Sequence, residues 1–167
     1  KLDGASVATN DILTVNASAP KASVVLLHDE SAGADMLVTR GIDDPRKLKG
    51  QRIAVEVGGV SHFFLDKLLA LQGLQESDVT VVNMEPGPAA QAFIAGQNDA
   101  AMTYEPFLSA VRDKPDAGKI IATTLDYPMV MDTFGCTPAF LAGNDAAAAA
   151  LTKSYFEALD MIAKEKD

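Results

Sequence analysis

Two short stretches of the chain combine residue types that could hold or act on a small molecule. In the first, Val57-Gly58-Gly59-Val60-Ser61-His62 leaves a strand-like run and opens a helical one. Two glycines allow a tight turn, Ser61 can cap, and the free N–H groups of a helix's first turn form a site for an anion. A ligand-free strand-to-helix turn would use the same glycines, so spacing alone leaves both readings open. The run is neither a phosphate loop nor a dinucleotide fingerprint, because Lys-Ser/Thr and the third glycine are missing. Ser61 beside His62 invites a nucleophile and base. Adjacent residues at a helix start point in different directions, however, and the run departs from the Gly-x-Ser-x-Gly elbow. His62 reads instead as a packed or capping residue that could line a cleft.

The second stretch, Tyr104-Glu105-Pro106-Phe107, ends an apolar strand with a phenol, a carboxylate and a rigid turn. Open α/β sheets bind ligands at the carboxyl ends of their strands; the plainer alternative is a core Tyr104 followed by a solvated Glu105. Asp29, Glu30 and Asp35 bracket Ser31-Ala32-Gly33, and a solvated hinge is favoured there over paired catalytic carboxylates. Cys136 is the single cysteine, and His28 and His62 are the only histidines. Without His-x-x-x-His or Cys-x-x-Cys spacing, no metal site is specified, and no motif asks for a cofactor.

These residues need elements to position them. Short apolar runs alternate with helical patterns, which is the mark of an α/β chain with mostly parallel strands. Strands are expected at Gly4–Ala8, Ser23–Leu27, Asp35–Thr39, Arg52–Glu56, Val79–Val82, Ala100–Tyr104, Lys119–Ala122 and Met129–Thr133. Val60, Phe64, Leu68 and Leu71 recur at intervals of 4, 4 and 3, a helical stripe that Gly73 can end in a left-handed cap. Pro88 fits the first turn of a helix through Phe93 and Ile94, with Gly96 as its stop. A last helix opens at Asn144 and carries Leu151, Tyr155, Leu159 and Ile162 at the same 4, 4, 3 spacing. Glu30–Ala34 and Thr123–Pro128 interrupt the strand patterns and are the best hinge candidates.

Composition narrows the function classes. The 167 residues are 48% hydrophobic and 22% charged, the balance of a chain able to bury a sizeable core. With 14 Lys+Arg against 23 Asp+Glu, the net charge of −9 argues against a nucleic-acid partner, which needs a basic face. The basic group Arg46, Lys47, Lys49 and Arg52 follows Asp43 and Asp44 and reads as a solvated face. No apolar run approaches the roughly 20 residues that span a bilayer. Lys1-Leu2-Asp3-Gly4 has no signal-peptide character, so the chain is either cytoplasmic or carries no leader because the leader has been removed.

The motifs taken together resemble the nitrate/sulfonate/taurine class of substrate-binding proteins of ABC transporters. The likeness is carried by Lys47–Val55, by the Gly-x-x-Ser-His helix start at Gly58–His62, and by Ala95-Gly96-Gln97-Asn98-Asp99-Ala100 leading to Thr103-Tyr104-Glu105-Pro106. It implies a periplasmic-binding-protein-like fold: two α/β lobes with mostly parallel sheets, joined by two crossings, with a small solute in the cleft. Residues 1–34 would form part of lobe 1 and the first crossing, 35–122 lobe 2, and 123–167 the second crossing and the return to lobe 1. Members of the family are nearly twice as long, so the resemblance implies an incomplete first lobe, with apolar surface that could lead to self-association. It also implies ligand-binding roles for Ser31, Gly33, Gly58, Gly59, Ser61, His62, Tyr104 and Glu105, with Thr9, Asn10 and Asp132 as weaker candidates.

The function implied is a periplasmic or extracytoplasmic receptor that passes a small polar or anionic solute to an ABC permease unchanged, without catalysis, cofactor or metal. Two other classes stay open. One is a thiamine-pyrimidine-synthase-like enzyme, which resembles the same family and would consume a histidine, although the expected Cys-rich stretch is missing. The other is the effector-sensing domain of a transcription regulator. The helix start favours an oxyanion and Glu105 favours an amine, a combination that suits a zwitterion such as taurine.

Overall fold

The computed structural model describes residues 2–18 and 21–165. In chain order its elements are β1 (Gly4–Ala8), α1 (Thr9–Ala17), β2 (Ser23–Glu30), β3 (Asp35–Thr39), β4 (Arg52–Val55), α2 (Val60–Leu71), β5 (Thr80–Asn83), α3 (Pro86–Ile94), β6 (Ala100–Tyr104), α4 (Phe107–Arg112), β7 (Lys119–Thr123), β8 (Met131–Cys136), α5 (Pro138–Leu141) and α6 (Asp145–Lys164). The chain divides into two compact units: one is Glu30–Val130, and the other takes the residues up to Asp29 and from Met131 onward. Both hinge candidates, Glu30–Ala34 and Thr123–Pro128, lie in the Glu30–Val130 unit.

That unit is built on a five-stranded sheet in the order β5-β4-β6-β3-β7. Side chains alternate across it, as the period of a strand requires. Leu37, Ile53, Val55, Ala100 and Met102 pack on one face with Phe64, Leu65, Leu68 and Leu69 of α2. Met36, Val38, Ala54 and Ala101 point to the other face, toward Ala89, Ala90 and Phe93 of α3 and Leu108 and Val111 of α4. Fully burying one such Leu or Phe stabilises by about 1.5–3 kcal/mol, so the two layers give the unit a core of its own. Gly118 is required by close approach: a Cβ there would lie 2.3 Å from the Thr39 carbonyl oxygen.

The α/β class expected from the sequence is observed, with a difference in strand direction. β4 is parallel to both β5 and β6, but β3 is antiparallel to β6 and to β7. The sheet is therefore mixed rather than mostly parallel. The cause is topological: β3 starts at the edge where β4, β5, β6 and β7 finish, so it must run against them. Asp35, at the start of β3, consequently stands opposite Tyr104, at the end of β6.

In the other unit, β1, β8 and β2 form a three-stranded sheet in that order, with β1 and β8 antiparallel. Gly135 of β8 leaves room for Ile12 of α1, whose Cδ1 would lie 2.5 Å from an added Cβ. Helix α1 was not expected from the sequence. It begins after Ala8 with no side-chain cap, so the usual polar start signal is absent. α6 follows Asn144, as the spacing predicts. Two strands shift from their expected positions. β5 starts at Thr80 because Val79 closes the short turn Glu76–Asp78, and β8 starts at Met131 because Met129 and Val130 pack into the core of the Glu30–Val130 unit.

Candidate functional site

The mixed topology gathers one sheet edge from five segments: the exits of β4, β5, β6 and β7 and the start of β3. Ser31, Gly33, Asp35, Gly58, Gly59, Ser61, Tyr104 and Glu105 all belong to the segments that meet along this edge, although the structure uses them differently.

At the start of β3 a chain of hydroxyls ties the unit together. Ser31 Oγ donates to Asp35 Oδ2 at 2.6 Å, and lies 2.8 Å from Thr124 Oγ1. Thr124 Oγ1 in turn accepts the Gly33 N–H at 2.9 Å. Thr124 is fully buried and Asp35 nearly so. Ser31 hydroxyl and Gly33 N–H are thus engaged in fixing this turn, which favours their ordering Asp35 over contacting a ligand directly.

After β4 the backbone turns through Gly58, whose φ of 85° lies in the left-handed region that glycine adopts without steric cost. Val57 N–H donates to Asn83 Oδ1 at 3.0 Å, linking the turn to the exit of β5. Gly59 occupies the cap position of α2 without a side-chain cap, so Ser61 does not cap as the sequence suggested. Ser61 lies on the buried, sheet-facing side of the first helical turn together with Phe64 and Leu65, is only 2% exposed, and its Oγ has no hydrogen-bond partner. Beside Gly59 stands the carboxylate of Glu56, with Oε2 3.1 Å from where a Cβ would be.

His62 turns back onto its own loop, its Nδ1 accepting the Gly58 N–H at 3.2 Å. A ring accepting at Nδ1 carries its proton on Nε2 when neutral. That Nε2 is enclosed, 3.6 Å from Glu76 Oε1 and 3.9 Å from Asp66 Oδ1, both beyond hydrogen-bond reach. His62, Asp66 and Glu76 have the donor atoms of a metal site, but Nε2 presents a proton to the carboxylates where a metal would need a lone pair. Ser61 Oγ finds no base in His62, and no nucleophile–base pair is formed there.

Tyr104 and Glu105 part ways, as successive residues leaving a strand do. Glu105 caps the following helix: its Oε2 accepts from Ser109 N–H at 3.1 Å and Ser109 Oγ at 2.8 Å, and its other oxygen pairs with the Arg112 guanidinium. Tyr104 remains at the edge, half-buried, with its ring centroid 5.7 Å from that of Phe107. Burial raises the Tyr104 pKa, and the charges of Glu56, Asp35 and Glu85 add to the rise. Carboxylates from three separate segments thus lie near enough for their charges to act on one phenol. Sequence reading missed Glu56 and Glu85, because each looks like an ordinary solvated residue just past a strand until the topology aligns the strand ends.

The weaker candidates belong to the other unit. Thr9 Oγ1 donates to the Met131 carbonyl at 2.8 Å, and buried Asn10 donates to Asp11 Oδ1 at 3.1 Å. Asp132 is exposed, in register with Ala8.

Residues 7–166 match the family model described as NMT1/THI5 like. The taurine-binding periplasmic protein of Escherichia coli (strain K12) is 29% identical over 119 residues, which are 66% of this chain and 37% of that protein. Among solved structures, the periplasmic aliphatic sulphonate binding protein SsuA from Escherichia coli superposes with a TM-score of 0.79 at 20% identity, covering 94% of this chain and 55% of that one. The periplasmic nitrate-binding protein NrtA from Synechocystis PCC 6803 gives 0.66 at 18% identity over 94% of this chain and 46% of that one. The chain spans well under half the length of the curated relatives it matches, and about half that of the two solved structures. At these identities the structures establish a shared fold, and the match over nearly the whole chain establishes the lineage: this protein belongs to the NMT1/THI5-like family.

Proposed function

We propose that the chain is the solute-holding part of an extracytoplasmic receptor that captures a small polar molecule and delivers it to an ABC permease. The two compact units correspond, in this reading, to the two lobes of such receptors. The observation that carries it is the strand-end edge of the Glu30–Val130 unit. There a glycine turn, the unpartnered Ser61 Oγ, a half-buried Tyr104 and the carboxylates whose charges act on it belong to segments that meet where open α/β sheets take ligands. Relatives named for binding taurine, sulphonate and nitrate support a receptor in place of an enzyme. Ser61 without a base and His62 folded onto its own turn point the same way, to a site that binds and releases without chemistry.

A thermal-shift screen of the chain against sulfonates, amines and inorganic oxyanions tests this reading. A ligand present at about 100 times its Kd adds about 2.7 kcal/mol of stability, a readily measured rise in Tm. At least one class should give it, with the ligand recovered unaltered by mass spectrometry. No shift from any class, or a chemically changed ligand, would overturn the proposal.

A further inference from the structure

We propose that His62 is a proton-operated latch on the Gly58–Gly59 turn, so that the opening of α2 has two states selected by pH. The latch belongs to the turn itself; what its two states do to a solute rests on the receptor reading. It follows from which ring nitrogen is engaged. Nδ1 accepts the Gly58 N–H at 3.2 Å, and the neutral ring therefore carries its hydrogen on Nε2. A second proton has only Nδ1 to bind. Both nitrogens are then donors, and an Nδ1–H facing the Gly58 N–H sets donor against donor. Proton uptake and the ring-to-backbone hydrogen bond exclude each other. Histidine is the side chain whose ordinary chemistry makes this change between about pH 5 and 8.

The charges around the ring give the protonated state somewhere to go. From α2 itself, Asp66 Oδ1 lies 3.9 Å from Nε2, and from the short turn Glu76–Asp78, Glu76 Oε1 lies 3.6 Å away. Among the described residues neither carboxylate is paired with a lysine or arginine. Asp78 of that turn is taken by Lys49, and just before β4, Arg46 and Lys47 are taken by Asp44 and Asp43. On the loop side Glu56 stands beside Gly59. An imidazolium that lets go of Gly58 can close the remaining distance to Asp66 and Glu76, and its enclosed Nε2, now without a partner, gains one. What the turn loses is specific. Val57 N–H keeps Asn83 Oδ1 at 3.0 Å and Gly59 N–H keeps the Glu56 carbonyl at 3.3 Å, so both flanks stay tied. Gly58 alone is released, and it has open space where a Cβ would point and a glycine's freedom to turn.

The test is an NMR titration of the intact chain, without solute and at constant ionic strength, from about pH 8 to about pH 5. It reads the His62 ring nitrogens and the Gly58 amide. At the alkaline end Nδ1 should show the signature of an unprotonated acceptor. On acidification the ring and the Gly58 amide should follow one single-proton curve, and Gly58 should lose hydrogen-exchange protection. His28, in β2 of the other unit, is the comparison ring, and its own curve should leave Gly58 unmoved. His62→Gln supplies an acceptor that does not titrate, so the Gly58 amide should become flat across the range; if that variant does not fold, the wild-type curves decide alone. A Gly58 amide that stays put while the His62 ring titrates, one that still shifts in His62→Gln, or a His62 ring that takes up no proton in this range would each overturn the latch. Since no solute is present, those results leave the receptor reading standing, and the thermal-shift screen decides that reading separately.

Discussion

The stripes in α2 and α6 have the same spacing but are covered to different extents: the last residue of the α2 stripe, Leu71, is 63% exposed, yet the middle of that stripe is closed off from solvent. Phe64 and Leu68 of α2 are fully buried, whereas Leu151, Leu159 and Ile162 of α6 are 37%, 43% and 65% exposed, and α6 buries no residue at all among those described. The unit of Glu30–Val130 covers both faces of its sheet and hides every residue of β3. The other unit leaves Val24 and Leu27 of β2 largely exposed. Periodicity declares that a helix has an apolar side; whether that side is covered depends on what the rest of the fold places against it. The apolar side of α6 is therefore left largely uncovered within its own unit.

The largest test of this contrast is a pair of truncations. Phe64→Ala should cost about 3–5 kcal/mol, the usual range for an aromatic removed from a close-packed core, while Phe156→Ala on α6 should stay within about 0.5 kcal/mol. Urea midpoints measure both, and equal losses would erase the distinction. Gly118→Ala should come next, at about 1–3 kcal/mol, since the new methyl is driven into the Thr39 carbonyl and the Phe93 ring; thermal unfolding reads it.

Cys136 sharpens the comparison from the other side. It is buried in the unit that carries α6, and burial, then the charge of Asp3, raises its thiol pKa, so labelling of the native protein should be slow. Raising urea should expose Cys136 to a thiol reagent before the Phe64 cluster loses hydrogen-exchange protection. Simultaneous exposure would mean that the two units unfold as one cooperative block.

The smallest effect belongs to Asp44. Arg46 hydrogen bonds, from side chain and backbone, hold its carboxyl down to about 2 against an ordinary 3.8. A lowered folded-state pKa stabilises fully above the ordinary value and loses that contribution as pH falls through the folded one. Wild type and Asp44→Asn should therefore differ slightly at about pH 5 and converge at about pH 2. A difference that grows on acidification would contradict the assignment.

Much of this architecture is legible in the residues. The α2 stripe returned Val60–Leu71 without error, and β1, β3 and β6 fall where apolar runs are bounded by polar ones. Helix α1 was hidden because Ala8 offers no cap, and the direction of β3 because strand polarity leaves no mark on a short apolar run. The site was legible in part for the same reason. Ser61 and Tyr104 stand out by local pattern, but Asp35, Glu56 and Glu85 become neighbours only once strand ends distant in sequence are brought to one edge. Glu105 looked like a wall of the site until α4 claimed it as a cap.

Ser31 closes its unit through the backbone as well as through its hydroxyl. Ser31 N–H donates to the Val130 carbonyl at 2.9 Å, so the stretch 30–130 begins and ends at a single hydrogen bond. A polypeptide whose two ends already touch can be set into a surface turn of another chain with almost no loop-closure cost. It can also change its sequence without disturbing its host. In evolutionary terms this stretch is an insertable cassette, free to vary in sequence while the flanking residues keep their own fold.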